Sequence, residues 1–462
     1  MNPFPPSIRV AATLAAGVSV AVVSVLAYGP SIDYSFISDD FTMFPFLRMV
    51  SDHPGQLLEM PSEIFRVVSY VYFWVCLNLF GLNPEPFYWT GIALHTLISL
   101  LVGRLVFVFS RNPGAAWAAA LFFAAYERHQ EAVMWISAVN DALLTLFSLL
   151  FLLFWEHSLS DPRRGWSYGL SLGTLFIALF SKEPSVVLIP LAILLLILKK
   201  RPGREIIERA MPLLVMLVGY GILWLWVANR NFFVVDGHYD LSPSFFSVYL
   251  RALWRILSPV LLFLAPLVWL AYRRSRLAEV SQVLRSGSVL FFLAIIALTI
   301  VPYSFLTYLD HIPSRNTYLP SVGLAALTGL LFSALYDRSY MRRGRALCTV
   351  FLAAVLFANV AYIWVKKAPQ FRERAAPTRE LIASLNGPEF QAVGNTPIYV
   401  CSFPLHVSIG RSAVEEFTRF GPGRVAFLDT CGESHVVNAL EWTQAESIYA
   451  KRIAGVETAL RN

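Results

Sequence analysis

The stretch Ser35-Phe36-Ile37-Ser38-Asp39-Asp40-Phe41 places two adjacent carboxylates shortly after the first long apolar run of the chain, residues 10–28. That run has the length of a membrane-spanning helix, which needs about 20 apolar residues. Two charges side by side are costly next to a lipid bilayer, and charges in such places usually serve a function. The stretch therefore predicts an integral membrane protein that has a polar reaction site at one membrane face.

The composition of the 462 residues also indicates a membrane protein. Hydrophobic residues make up 56% of the chain and charged residues 15%, and the mean hydropathy is +0.58. Soluble domains carry about 25% charged residues. The net charge of +7 would also suit a nucleic-acid partner. However, the Lys and Arg residues cluster between apolar runs, as in the loops of membrane proteins. We therefore expect membrane lipid, and not nucleic acid, as a partner.

Apolar runs of spanning length recur as far as residue 364, and we predict about eleven membrane-spanning helices. They cover residues 10–28, 87–110, 115–125, 133–155, 168–180, 184–198, 210–228, 249–271, 289–308, 318–336 and 346–364. The first run lacks a convincing cleavage site, which predicts an uncleaved anchor. The shorter run at 67–80 suits a helix that lies at the membrane surface. The predicted fold class is an all-α polytopic membrane protein with a small C-terminal α/β domain.

The Lys and Arg residues divide the predicted loops into two sets. If the spans alternate, one side of the membrane holds Arg111, Arg163, Arg164, Lys199, Lys200, Arg201, Arg204, Arg273, Arg274, Arg276, Arg338, Arg342, Arg343 and Arg345. The other side holds only isolated cations, such as Arg66, Lys182 and Arg315. Because cytoplasmic loops are enriched in Lys and Arg, the loop at 29–86 is predicted to face outward, into the periplasm or a lumen.

The composition becomes charged and mixed after residue 365. We predict a transmembrane domain at 1–365 and a small soluble α/β domain at 366–462, which the span count places on the outward side. The predicted strands of the second domain are 396–403 and 424–428, and its predicted helices are 413–419 and 439–454.

Two of the four cysteines, Cys401 and Cys431, lie in this C-terminal domain. An oxidising compartment would allow a disulfide between them. The alternative is a pair of buried free thiols. No CxxC, HExxH or other metal-binding spacing occurs in the sequence.

Asp39 and Asp40 are the first candidates for chemistry. A carboxylate in this position can act as a general base on an acceptor hydroxyl, or can orient that hydroxyl. Two like charges this close raise the pKa of at least one of the two groups. The alternative is a helix cap or a solvated loop, where Asp is common. If the reaction uses a divalent cation, Mg or Mn, these two acids are its predicted ligands.

A second cluster contains Glu127, Glu131 and Trp135, which are spaced by four residues. One helical face would then present two acids and an indole, an arrangement that suits sugar recognition. Asp141 follows closely in the sequence. The alternative is an interfacial belt, where Trp and charged residues gather in any membrane protein.

Two lone cations complete the set of candidates. Lys182 would bind a phosphate as a point charge, or would form a local salt bridge with Glu183. Arg315 and the nearby Tyr318 hydroxyl suit phosphate oxygens. A base together with cations that stabilise a departing phosphate is what transfer from a lipid phosphate to a hydroxyl requires.

Five stretches, taken in order, resemble the GT-C membrane glycosyltransferases, most closely the transmembrane part of the tetratricopeptide-containing O-mannosyltransferases and their bacterial relatives. They are Asp39-Asp40-Phe41; Gly81-Leu82-Asn83-Pro84 with His95; Gln130-Glu131-Ala132-Val133 with Asp141; Ser181-Lys182-Glu183; and Arg315-Asn316-Thr317-Tyr318-Leu319-Pro320-Ser321. The chain departs from the family at Arg66-Val67, where the family often has Arg-Pro.

The resemblance implies a GT-C fold. It also implies transfer of a monosaccharide, with inversion, from a polyprenyl-phosphate donor to an acceptor on the outward face. Asp39, with Asp40 beside it, is the implied base, and Lys182, Arg315 and Tyr318 are the implied donor-phosphate ligands. The residues implied on the sugar and acceptor side are Glu127, Glu131, Trp135, Asp141, Glu183 and His95.

The C-terminal domain has no tetratricopeptide pattern and is too short for such an array. Protein O-mannosylation is therefore not implied, and bacterial relatives that modify envelope glycans fit better. The expected acceptor is an envelope glycan, lipid or protein, and the expected location is the bacterial inner membrane with a periplasmic active site. Two alternatives stay open. A flippase of lipid-linked glycans would have charges along a central cavity and inverted repeats. A catalytically inactive GT-C relative would serve as a scaffold.

Overall fold

The computed structural model of the protein describes residues 6–57, 66–160, 165–228, 244–273, 284–306, 312–338, 342–391, 396–430, 438–445 and 448–454. The helices are α1 (Pro6–Tyr28), α2 (Met43–Asp52), α3 (Val67–Phe80), α4 (Pro84–Ser110), α5 (Pro113–Ala125), α6 (Gln130–Met134), α7 (Val139–Ser160), α8 (Gly165–Leu179), α9 (Leu188–Leu198), α10 (Gly203–Ala228), α11 (Ser244–Leu257), α12 (Leu261–Arg273), α13 (Gly287–Ile300), α14 (Pro320–Arg338), α15 (Arg342–Tyr362), α16 (Ala368–Leu385), α17 (Pro388–Gln391) and α18 (Val407–Phe417). The strands are β1 (Ile398–Cys401), β2 (Val425–Leu428), β3 (Ala439–Ala445) and β4 (Ile448–Ala454).

Within these described ranges, eight helical segments are long and apolar enough to cross a membrane. They are Ala11–Asp33, Pro84–Ser110, Ile136–Ser160, Gly203–Trp226, Ser244–Trp269, Gly287–Phe305, Pro320–Asp337 and Arg342–Leu385. The other three of the eleven predicted spans coincide with the shorter apolar helices α5, α8 and α9. The prediction of an all-α polytopic membrane protein is therefore confirmed. The predicted surface run is the helix α3, whose 14 residues are too few for a full crossing.

Small residues allow the central helices to approach closely. The helix α5 is rich in alanine and is buried along most of its length. A Cβ atom at Gly329 of α14 would overlap the carbonyl oxygen of Ala115, and a Cβ at Gly103 of α4 would lie 3.0 Å from the carbonyl oxygen of Ala116. Backbones at such distances gain van der Waals packing, which replaces the hydrophobic effect between helices in lipid. This packing fixes α4, α5 and α14 as the rigid centre of the membrane domain.

The helix α7 separates two chemically different ends of the molecule. Asn140 lies at its beginning, and Glu156 lies near its end, about 24 Å away at 1.5 Å per residue. Glu156 accepts a hydrogen bond of 2.6 Å from the Lys199 ammonium, and Lys199 belongs to one of the predicted cytoplasmic basic loops. The basic loop and the candidate site described below therefore lie at opposite ends of α7.

The C-terminal part of the chain forms a four-stranded sheet of order β2-β1-β3-β4. The strand β1 pairs in parallel with β2 and β3, and β4 pairs antiparallel with β3. The sheet has its own buried core, which includes Leu385, Phe390, Ile398, Val400 and Trp442. The strands β1 and β2 fall within the predicted strands 396–403 and 424–428.

The prediction of a helix at 439–454 is wrong, because these residues form the antiparallel pair β3 and β4. Leu440 and Trp442 are buried while Glu441 between them is half-buried. This two-residue alternation is the pattern of a strand. The strand β3 forms backbone hydrogen bonds with the edge of β1. A helix would have formed its hydrogen bonds within the segment itself.

Candidate active site

A cavity of about 1070 Å³ lies at the N-terminal end of α7, beside Asn140. Its charged lining residues are Asp39, Arg66, Lys182, Glu183 and Arg315. The opposite wall is largely apolar and comes from α10 and from the residues that follow α13, including Leu217, Trp224, Pro302, Phe305 and Leu306. The cavity thus joins a charged end to a wall made by membrane-spanning helices.

The acidic pair presents one carboxylate to the cavity, not two. Asp39 is exposed and lines the cavity, whereas Asp40 is fully buried. Oδ2 of Asp40 accepts a hydrogen bond from the Ile37 backbone N–H at 2.8 Å. Oδ1 accepts from the backbone N–H and the hydroxyl of Ser137 at 2.7 and 2.5 Å. Asp39 therefore faces the cavity, and Asp40 anchors the loop that carries Asp39.

Burial has a clear electrostatic effect on Asp40. It raises the pKa of this carboxyl to about 7, and the negative charge of Asp39 adds to the rise. The hydrogen bonds from Ser137 and Ile37 act in the opposite direction, because donors stabilise the charged form. Asp40 is thus able to take up a proton near neutral pH.

The geometry also bears on the predicted metal site. Asp40 is fully buried, and both of its carboxylate oxygens already accept hydrogen bonds. Among the described residues, no group of three or more His, Cys, Asp or Glu residues is placed to hold a metal ion. Of the acidic pair, Asp39 would therefore be the carboxylate that contacts a Mg or Mn ion, and water and phosphate oxygens would supply its other ligands.

Lys182 lines the cavity but its hydrogens are already used. Its ammonium donates to both carboxylate oxygens of Asp141, at 2.6 and 2.7 Å, and to Oδ1 of Asn316 at 3.1 Å. An ammonium has three donors, so these bonds account for all of them. Burial lowers the pKa of Lys182 to about 8, and the Asp141 carboxylate counteracts this fall. The predicted phosphate ligand is therefore part of a buried ion pair.

Glu183 pairs with Arg66 and not with its sequence neighbour Lys182. Its Oε2 accepts hydrogen bonds from Nη2 and Nε of Arg66 at 3.0 and 3.3 Å. Arg66 precedes α3 and lines the same cavity. The alternative of a local pair between Lys182 and Glu183 is thus wrong, since Lys182 pairs with Asp141 and Glu183 pairs with Arg66.

Arg315 is the cation best placed for an anionic ligand. It is half-buried, and its guanidinium carbon lies 5.0 Å from the centre of the Trp135 ring. Its backbone N–H donates to Oε2 of Glu131 at 3.0 Å. Within the part of the chain that the structure describes, its guanidinium forms no ion pair. Its planar set of donors, which matches phosphate oxygens, is therefore open to the cavity.

The predicted helical face of Glu127, Glu131 and Trp135 is wrong. Residues Glu127–His129 form a 3₁₀ turn, α6 ends at Met134, and the backbone of Trp135 is extended. Trp135 lines the cavity and donates its indole N–H to the carbonyl of Ile37 at 3.2 Å. Glu127 instead pairs with Arg128 at 3.4 Å, outside the cavity lining.

Tyr318 and His95 lie in the core, away from the cavity lining. Both are fully buried, and the Tyr318 hydroxyl is 2.6 Å from Nδ1 of His95. The other ring nitrogen of His95 is 3.2 Å from the Ala124 carbonyl oxygen. The rings of Phe123 and His129 pack around them. These contacts connect α4, α5 and the segment before α14, so the two residues lie in the core and do not line this cavity.

Other residues of the cavity had little signal in the sequence. Ser137 holds Asp40, and Asn316 holds Lys182. The Ser69 hydroxyl and Oδ1 of Asn140 belong to residues that line the cavity, and both atoms are buried without a hydrogen-bond partner in the described structure. Buried polar atoms normally have partners.

The cysteines divide into two kinds. Cys76 and Cys348 are buried and are not disulfide-bonded, consistent with packing residues. Cys401 is buried in β1 and is disulfide-bonded. Cys431, its predicted partner, lies outside the described residues, so that pairing stays a prediction.

Comparisons with known proteins agree with this architecture. No family model matches the chain. The human protein O-mannosyl-transferase TMTC1 is 28% identical over 180 residues, which are 35% of this chain and 20% of the human protein. The Caenorhabditis elegans protein O-mannosyl-transferase F38B6.6 is 24% identical over 366 residues, which are 68% of this chain and 50% of that protein. The chain thus spans half or less of the length of these relatives.

A solved structure shows the same fold. ArnT from Cupriavidus metallidurans, bound to undecaprenyl phosphate, superposes with a TM-score of 0.54 at 14% sequence identity, over 87% of this chain and 84% of that chain. The fold and the cavity therefore define a multi-pass membrane protein that shares the fold of ArnT. The chain has the GT-C fold that the sequence resemblance implied.

Proposed function

We propose that this protein is a membrane glycosyltransferase that moves a monosaccharide from a polyprenyl-phosphate donor to an acceptor hydroxyl. The observation that carries the proposal is the cavity, in which Asp39 and Arg315 face a wall of apolar residues from spanning helices. The relatives named as protein O-mannosyl-transferases and the likeness to ArnT support the same reaction class.

A polyprenyl-phosphate donor matches both ends of this cavity. Its phosphate is an anion, and the charged lining carries three cations against two carboxylates, with Arg315 the cation whose donors face the cavity. Its long apolar chain suits the surface of α10, where Leu217 and Trp224 line the cavity. The opposite face of α10, including Val215 and Ile222, is exposed as a lipid-facing surface would be. The donor chain would therefore leave the cavity along α10 into the bilayer.

The proposed step is a single displacement at the anomeric carbon. Asp39 accepts the proton of the acceptor hydroxyl, and the acceptor oxygen forms the new bond to that carbon. The bond between the anomeric carbon and the phosphate oxygen breaks, and its electron pair leaves with the polyprenyl phosphate. Arg315 stabilises the charge that develops on this leaving group. Attack from the side opposite the phosphate gives inversion.

The site would face outward, with an envelope glycan, lipid or protein as the acceptor. This proposal rests on the position of the cavity at the end of α7 opposite the basic loop that contains Lys199. A bacterial inner membrane, with the reaction on its periplasmic side, fits that orientation. The flippase alternative predicts charges along a central pathway, whereas the charged residues of this cavity lie at one end of α7.

The proposal is tested with the full-length protein in lipid nanodiscs and a panel of radiolabelled polyprenyl-phosphate sugars. Loss of a general base costs about 10²–10⁴-fold in rate, so Asp39→Asn should reduce transfer at least about 10²-fold. Arg315→Ala should reduce transfer and also weaken the binding of undecaprenyl phosphate, whereas Asp39→Asn should leave that binding unchanged.

Glu127→Gln is the matched control, because it removes a carboxylate that pairs with Arg128 outside the cavity lining. Its transfer rate should stay within about twofold of the wild type, because the carboxylate that it removes does not line the cavity. Normal transfer by both Asp39→Asn and Arg315→Ala would overturn the assignment.

A further inference from the structure

The helix α18 of the C-terminal domain has two buried faces. Val414 belongs to the core of the C-terminal domain itself. Ile409, Ala413 and Phe417, each four residues apart, instead belong to the large core cluster that joins the membrane domain and part of α16. Residues at this spacing share one face of a helix. One face of α18 therefore holds its own domain, and another reaches across to the membrane domain.

Phe417 ends this second face and sits among three phenylalanines. Its ring centre lies 5.7 Å from that of Phe36, 5.4 Å from that of Phe41 and 5.8 Å from that of Phe44. Aromatic pairs at these distances are favourable beyond their buried area. Phe36 and Phe41 flank the acidic pair in the sequence, so the aromatic cluster holds the segment that carries Asp39.

An ion pair fixes the register of this contact. Glu416 of α18 accepts a hydrogen bond of 2.6 Å from Nε of Arg48 in α2. The side chain of Glu416 is 7% exposed and that of Arg48 is 60% exposed. The pair is too open to contribute much stability, but its direction sets how α18 lies on α2 and on the preceding loop.

The same loop is attached to the membrane domain from its other side. Asp40 accepts hydrogen bonds from Ser137, and Trp135 donates to the carbonyl of Ile37. Asp39 lies between these two attachments, in a 3₁₀ turn of only three residues. A turn that short cannot keep its position if one attachment is removed, because few internal hydrogen bonds hold it.

We propose that α18 is a positioning element for the general base, and that Phe417 is the residue through which the C-terminal domain places Asp39 in the cavity. The inference rests on the proposed function, since it assigns Asp39 the role of base. Phe417 itself does not line the cavity. Its effect is therefore on the rate of the chemical step, and not on donor binding.

The test compares three variants of the full-length protein in nanodiscs. Phe417→Ala should lower kcat for sugar transfer about tenfold or more, because small displacements of a catalytic group are costly. Its affinity for undecaprenyl phosphate should be unchanged. Phe417→Leu, which keeps an apolar side chain in the aromatic cluster, should recover most of the rate.

Phe403→Ala is the matched control for damage to the C-terminal domain. Phe403 packs on Phe427 and Trp442, within the C-terminal sheet, and not on the loop of Asp39. Its kcat should stay within about twofold of the wild type. Wild-type kcat in Phe417→Ala, or an equal loss in Phe403→Ala, would overturn the proposal.

Hydrogen exchange gives a second readout that does not require transfer. The amides of residues 36–44 should exchange faster in Phe417→Ala and at the wild-type rate in Phe403→Ala. If the wild type transfers no sugar, the proposed function fails while the exchange result still reports the docking. Unchanged exchange in Phe417→Ala, with normal transfer by the wild type, would overturn only the positioning role.

Discussion

Asp40 has an unusually high pKa for an aspartate. Its full burial raises the pKa to about 7, from an ordinary value of 3.8. Between these two pH values the folded state holds a proton that the unfolded state has released. Folding stability from this group is therefore fully present below about pH 4 and is lost as the pH rises through 7.

The change Asp40→Asn removes the titrating carboxyl. A comparison with the wild type therefore isolates the contribution of this carboxyl to folding stability. We expect the difference in melting temperature between the wild type and Asp40→Asn to shift against the wild type as the pH rises from about 5 to 8. Thermal unfolding of both proteins across this range measures the shift. A difference that is constant with pH would contradict the raised pKa, whatever the size of that difference.

Several site residues were predictable from the sequence, but their directions were not. Asp39, Trp135, Lys182, Glu183 and Arg315 do line one cavity. Charges near the ends of apolar runs stand out because they are costly there. The turn Ser38–Asp40, where Ser38 adopts a φ of +51°, decides which of the two acids faces the cavity.

The partners of the charged residues were beyond the reach of local reasoning. Lys182 pairs with Asp141, 41 residues before it, and Arg66 pairs with Glu183, 117 residues after it. Only the packed fold brings these groups together. Lys182 and Glu183 suggested a salt bridge because they are adjacent in the sequence, and the sequence alone does not show which distant residues are close in space.

At the scale of elements, the bonds of Lys182 join three separate segments. Asp141 belongs to the first turn of α7, Asn316 to the turn Arg315–Thr317, and Lys182 to the link between α8 and α9. Both ends of the ion pair are buried. A buried charge that loses its partner is strongly destabilising, so this cluster should behave as one structural unit.

The change Lys182→Met leaves the Asp141 carboxylate buried and unpaired, which should cost about 3–5 kcal/mol of folding free energy. The double variant Lys182→Met with Asp141→Leu should recover part of that loss, since no charge then remains buried. Thermal unfolding in detergent measures both, and the exposed Lys366→Met serves as control. If the double variant lost more free energy of unfolding than Lys182→Met and Asp141→Leu lose together as single variants, the cluster would not behave as one structural unit.

The two failed helix predictions have a common cause at this scale. A spacing of four residues at Glu127–Trp135 indicated a helix, yet Trp135 is drawn into an extended conformation by its bond to Ile37. Residues 439–454 become strands because β1 offers an edge. In both places a distant partner decides the local structure, and local pattern cannot reveal it.

At the scale of the whole molecule, the spans were the most predictable feature. Backbone polar groups within a bilayer must be satisfied inside the segment, so long apolar runs become helices. The short helices α5, α8 and α9 were found for the same reason. The docking of α18 on the loop of Asp39 was not foreseen, because Phe417 and Phe36 are far apart in the sequence and neither carries a charge.

The sidedness of the whole molecule decides whether the proposed chemistry has access to its substrates. Arg379 is exposed on α16 of the C-terminal domain, and the Arg204 side chain is 90% exposed beside the basic loop of Lys199. Cysteines are introduced at one position at a time, as Arg379→Cys and Arg204→Cys, and labelled in intact cells with a membrane-impermeant maleimide. The native cysteines Cys76 and Cys348 are buried and should react little.

The positive-inside asymmetry predicts that the basic loop lies in the cytoplasm. The Arg379→Cys variant should therefore label in intact cells, and the Arg204→Cys variant only after permeabilisation. The cavity lies at the end of α7 opposite Lys199, so this result would put Asp39 and Arg315 on the outward face. The reverse pattern would put the proposed base and the proposed phosphate ligand in the cytoplasm, where a donor presented on the outward leaflet could not reach them.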